Sequence, residues 1–79
     1  MIGAGIHDGD LLVVDRSLEP SHGRVVIAAL DGELTVKRLH QQRGKILLCA
    51  DNPDYPAIEI RQGQELQIWG VVAHVIHKV

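Results

Sequence analysis

The dipeptide Asp31-Gly32 is the tightest local constraint in this sequence. It stands between two apolar runs, RVVIAAL at Arg24–Leu30 and ELTVKRLH at Glu33–His40. A two-residue hairpin turn needs positive φ at both central positions, and Asp-Gly adopts that geometry at low steric cost. The two runs are therefore expected to fold back on one another as antiparallel strands. Side chains alternate along a strand, so Leu34, Val36 and Arg38 share one face while Thr35, Lys37 and Leu39 share the other. Lys37 then lies among methyl groups. It is either an ordinary lysine whose stem covers apolar surface while its head reaches water, or a desolvated amine able to serve as a general base. Unpaired buried lysines are rare, so on the residues alone the ordinary reading is preferred.

The rest of the chain reads as more of the same architecture. Leu11–Val14, LLVV, is a short continuous apolar run that suits a strand covered on both faces. Asp15–Gly23 is a loop punctuated by Pro20 and Gly23. Gln41–Gly44 is a second turn, and Lys45–Ala50 the next strand. Asp51–Pro56, DNPDYP, carries two prolines with Asn and Asp and must be a loop. Ala57–Ile60 is short and alternating, and Arg61–Gly63 turns again. Glu65–Val79 is a long final strand that is apolar on both faces through its middle. Either Gly70 marks a bulge that swaps the faces, or a partner subunit covers the second face; the second is preferred. No helix longer than a turn is demanded. The expectation is a single, mostly β domain over residues 1–79, with turns at short regular spacing.

Composition limits what such a domain can do. Seventy-nine residues, with Trp69 and Tyr55 as the only aromatics besides histidine, leave a core of Val, Ile, Leu and Ala, near the lower limit for self-sufficiency. Docking against a second copy would help. The net charge of −2 creates no general attraction for nucleic acid. Cys49 is the one cysteine, which excludes a disulfide framework and reads as a buried structural thiol. The opening MIGAGIHDGD has no basic start or apolar core of a signal peptide, and no run is long enough for a membrane helix. A cytoplasmic location is the default.

Several chemical motifs fail on inspection. Asp8 and Asp10 are spaced like the first ligands of a calcium loop, but Gly9 is misplaced and no Glu follows at the required distance. Ser17 and Ser21 sit in no nucleophile turn and read as turn hydroxyls. His74 and His77 point to opposite faces of a strand, while His7, His22 and His40 stand apart beside turns, and no cysteine pair supports a metal. Lys37, Arg38, His40, Arg43 and Lys45 form a basic cluster without an aromatic stacking platform, which reads as a charged hairpin tip. No cofactor motif is present. Gly3, Ala4 and Gly5 would let another backbone or a substrate come close.

The ordered set MI-G-GI-DGDLL-VD at Met1–Asp15, SHG-VVIAA-DGE-TVK-L at Ser21–Leu39, NP-Y at Asn52–Tyr55 and GVV-HVI at Gly70–Ile76 resembles the UmuD and LexA family of Ser–Lys self-cleaving peptidases, nearest its UmuD branch. The resemblance implies a LexA/signal-peptidase-like domain of short, strongly bent antiparallel strands. It implies that Lys37, in the TVK segment after a DGE turn, is the general base of the dyad. The family's serine directly precedes a Met that opens a glycine-rich loop. That Met corresponds to Met1, so the nucleophile would stand just before the chain as given, which would be inactive without it. The Met1 backbone N–H would be a possible oxyanion contact. The implied partners are a second copy of the chain, a RecA–single-stranded-DNA filament that stimulates cleavage of the full-length parent, and a UmuC-type translesion polymerase joined by the processed dimer. A self-cleaving repressor of LexA or phage type is the alternative, although nothing here resembles its DNA-binding head.

Overall fold

The Asp31-Gly32 turn forms, with φ of 48° and 86°. In the computed structural model, which describes Met1–Val79, it joins β2 (Val25–Leu30) to β3 (Glu33–Gln42), and Leu30 pairs with Glu33 across its base. The second turn is tighter than its composition suggests. Arg43 and Gly44 take φ of 51° and 75°, so β3 runs on to Gln42 and pairs directly with Lys45 at the start of β4 (Lys45–Cys49). These hairpins are the middle of one six-stranded antiparallel sheet. It is completed by β1 (Leu11–Asp15), β5 (Ile58–Glu59) and β6 (Leu66–Ile76), in the order β1-β6-β2-β3-β4-β5. A three-residue 3-10 turn at Ile2–Ala4 is the only helical element.

The ladders fix which residues share a face. Val26, Ala28, Lys37 and Leu39 lie on one side, and across from Leu39 stands Leu48. Val26, Ala28, Leu39, Leu48 and Val71 are the buried cluster, with Leu18, Leu30, Ile46 and Ile60 packed against it. Burying a leucine such as Leu48 is worth about 2 kcal/mol relative to exposure.

β6 departs from simple alternation, and the reason is in its register. Ile27 pairs with Gly70 and Ala28 with Ile68, which leaves Trp69 unmatched; Val13 pairs with His74 and Val14 with Val72, which leaves Ala73 unmatched. Each extra residue is a β-bulge, and a bulge moves the next side chains to the other face. Leu66 and Ile68 before Trp69, and Val71 after it, all pack on the same core. Bulges, the less favoured of the two sequence-based alternatives, therefore account for part of the double apolar pattern of this strand, while Trp69 and Ile76 remain exposed. Gly70 belongs to the same device: a Cβ there would collide with Val14 Cγ1.

β1 also differs from expectation. LLVV is an edge strand that pairs only with β6, and Leu11 is 59% exposed. Continuous apolar sequence cannot by itself distinguish a central strand from an edge strand whose outer neighbour lies elsewhere.

Candidate active site

Lys37 sits on the core side of β3, paired across the ladder with the fully buried Val26. Its stem is half-buried, and its end opens into a cleft of about 440 Å³ lined by Met1, Lys37, Ala50, Tyr55, Pro56 and Ile58. Lys37 Nζ donates a hydrogen bond to Thr35 Oγ1 at 2.8 Å. Thr35 is two residues away on the same face, so the pleat itself aims the amine. The ion pairs of the structure are Arg38–Asp51 and Lys45–Glu59, His77 makes a further contact with Asp10, and none of these engages Lys37. The amine thus lies among mostly apolar walls with no carboxylate within ion-pair distance.

Met1, far from Lys37 in sequence, reaches the same cleft. The Ile2–Ala4 turn closes on itself, with Ala4 N–H and Ile6 N–H donating to the Met1 carbonyl at 3.1 and 3.2 Å. Gly3 N–H then donates to the Asp51 carbonyl at 2.7 Å. A Cβ on Gly3 would lie 2.5 Å from that oxygen, so only glycine permits the approach. The small residues after Met1 thus admit another segment of the same chain.

Asp51 is the site residue that sequence reasoning missed. It stands two residues past the end of β4 with φ of 51°, a left-handed conformation that Asp tolerates better than most residues. Its carboxylate accepts from Arg38 Nε at 2.6 Å, and Arg38 also donates to the Gly23 carbonyl at 2.6 Å. The two partners are thirteen residues apart, and no local spacing announces the pair. Cys49 lies beside them, and burial pushes its thiol up, with the Asp51 charge adding to the effect and Arg38 opposing it.

The remaining candidates fall into structural roles. The basic cluster disperses: Lys37 enters the cleft, Arg38 is held by Asp51, and Arg43 and Lys45 stay at the turn. Ser17 Oγ donates to Asp15 at 2.6 Å, and Ser21 Oγ accepts from Arg24 Nε at 3.0 Å. The histidines are less isolated than their spacing implies. His77, just past β6, gives Nδ1 to Asp10 at 2.7 Å with the His7 ring 5.6 Å away, and the His22 and His40 rings meet edge-on at 5.1 Å. No group of three or more His, Cys, Asp or Glu side chains is placed to hold a metal ion. No helix is long and apolar enough to cross a membrane.

The model of the Peptidase S24-like family matches residues 1–73. The chain belongs to that family. Among S24-like relatives, SamA of Salmonella typhimurium is 51% identical over 74 residues, 94% of this chain and 50% of SamA. ImpA of the same species is 46% identical over 76 residues, 95% of this chain and 50% of ImpA. A LexA repressor from Paracidovorax citrulli is 43% identical over 76 residues, 96% of this chain and 34% of that repressor. The chain thus spans half the length of SamA and ImpA and about a third of the repressor.

Proposed function

We propose that this chain is the lysine-bearing part of a Ser–Lys self-cleaving peptidase of the UmuD type. One observation carries the reading: Lys37 is half-buried with no carboxylate partner and faces the same cleft as Met1. In the dyad, Lys37 Nζ takes the proton from a serine hydroxyl as that oxygen attacks the scissile carbonyl, and Thr35 holds the amine in line. The Met1 backbone N–H is the candidate donor to the oxyanion that forms. The reading requires a serine directly ahead of Met1 in the encoded polypeptide, and sequencing the coding DNA upstream of the Met1 codon tests it: a codon for any other residue there overturns the reading.

On this reading the full-length parent cleaves itself when stimulated by a RecA–single-stranded-DNA filament, and the shortened product dimerises and joins a UmuC-type polymerase in translesion synthesis during the SOS response. The similarity to SamA and ImpA supports this assignment. The match to LexA supports a second one equally, in which the same domain is the self-cleaving part of a repressor.

The test is incubation of the full-length parent with RecA filaments, or at alkaline pH, followed by separation of the fragments. Cleavage is expected, and Lys37→Ala abolishes it. Cleavage that survives this substitution removes Lys37 from the mechanism. A parent with a DNA-binding head that loses operator binding on cleavage establishes the repressor reading instead.

A further inference from the structure

The turn that brings Met1 to the cleft hangs from one point. Residues 1–6 bond to one another, and the only hydrogen bond joining them to the rest of the chain runs from Gly3 N–H to the Asp51 carbonyl. Residue 51 is in turn fixed from the other side of the sheet. Arg38 follows Lys37 on β3 and so projects to the opposite face, where its guanidinium grips the Asp51 carboxylate at 2.6 Å and the Gly23 carbonyl at 2.6 Å. Ala50, buried between β4 and Asp51, is itself a wall of the cleft. A single Asp therefore receives the Arg38 guanidinium through its side chain and supports the Met1 turn through its main chain.

We propose that the Arg38–Asp51 pair is a positioning device that holds the Met1 backbone N–H at the Lys37 cleft. The inference rests on the Ser–Lys reading above for its functional meaning, but not for its structural content. Neither residue touches the reacting atoms. Arg38 acts through Asp51, Asp51 through Gly3, and Gly3 through the turn that presents Met1. A charge-assisted bond with low exposure on both partners is well suited to such a task, because it fixes a direction as well as a distance.

The test has two parts. In the full-length parent, self-cleavage is followed as a function of pH for wild type, Lys37→Ala, Asp51→Ala, Arg38→Ala and the double substitution of the pair, with thermal melts to verify folding. Asp51→Ala and Arg38→Ala are expected to slow cleavage roughly 10- to 100-fold at every pH, the scale of a misplacement of about 1 Å. The pH at which the rate rises stays unchanged, since the proton acceptor is untouched. The double variant is no slower than either single one, as expected of residues acting through one contact. Arg38→Lys restores part of the rate. In the 79-residue chain, amide hydrogen exchange at Gly3 quickens in Arg38→Ala while exchange at Val26 does not. A folded Asp51→Ala parent that cleaves at the wild-type rate, beside an inactive Lys37→Ala, overturns the proposal. If Lys37→Ala still cleaves, the Ser–Lys reading fails by itself. The positioning device is then judged on Gly3 alone, and unchanged exchange there in Arg38→Ala overturns it.

Discussion

Val26 and Lys37 face each other across the β2–β3 ladder, the first fully buried and the second opening into the cleft beside it. The core and the candidate active site are thus continuous, and the lysine stem is part of the packing. Replacing Lys37 by Met keeps that stem and removes the amine. The expected result is a fold within about 1 kcal/mol of wild type, because a similar volume fills the same space. On the Ser–Lys reading, self-cleavage of the full-length parent is abolished. Urea unfolding of the two proteins checks the first outcome, and fragment analysis the second.

Leu48 carries the heaviest packing load at a single position, with no exposure, opposite Leu39. Leu48→Ala removes buried carbons and leaves a cavity, at a cost of about 2–5 kcal/mol. Small domains have total stabilities of about 5–15 kcal/mol. The variant is expected to show a large drop in urea midpoint; a midpoint close to wild type would mean that the sheet collapses to fill the space.

Gly70 allows β1 to approach β6 at the first bulge. Gly70→Ala drives a methyl into Val14 Cγ1, and overpacking of this kind costs about 1–3 kcal/mol. Adding Val14→Ala makes room and should recover part of the loss. Thermal melts of the single and double variants decide the matter, and no recovery would place the strain elsewhere.

Two carboxylates make stability sensitive to acid. Asp10 lies below its ordinary value of 3.8 chiefly because it accepts the His7 N–H, with His77 contributing. Asp15 lies below it chiefly because of the Ser17 hydroxyl and N–H. A carboxylate lowered on folding contributes stability that is present above the unfolded value and is lost as pH falls through the folded one. The melting temperature should therefore fall as pH drops below about 4. Asp10→Asn and Asp15→Asn should each flatten that fall; slopes equal to wild type would count against both assignments.

Cys49 should react slowly. Its thiol is pushed above the ordinary 9.0, mainly by burial, and the thiolate is the reacting species. Iodoacetamide at about pH 8 is expected to label the folded chain more slowly than the same chain in denaturant. Equal rates would mean that the thiol is open to solvent.

The parts of the fold legible in the sequence are those set by neighbours along the chain. Asp31-Gly32 specified its turn because only a few residues accept positive φ twice in succession, and the alternation after it placed Thr35, Lys37 and Leu39 on one face. The parts that were not legible depend on distant partners. Trp69 and Ala73 are extra residues only relative to β2 and β1, so a period-two reading of β6 could not distinguish bulges from a second covered face. LLVV has the same apolar run whether it lies in the centre or at an edge. The cleft was half legible: the neighbours of Lys37 left it an ordinary lysine and only the family resemblance gave it a role, whereas Asp51 depends on a bond to Arg38 and a main-chain contact with Gly3 that no spacing encodes.

The strand order has a consequence for how the chain comes to be folded. β6 is made last of the six strands, yet it lies between β1 and β2. During synthesis β2, β3 and β4 can zip together as each emerges, but β1 must wait, unpaired, until some fifty residues later its only neighbour arrives. Closing so long a loop is entropically slow. The Met1 turn precedes β1, so the segment that carries half of the candidate site gains its neighbouring strand late, while its own hydrogen bond to Asp51 can form once β4 is in place. The central hairpins can therefore be in place while β1, beside the candidate site, is still unpaired.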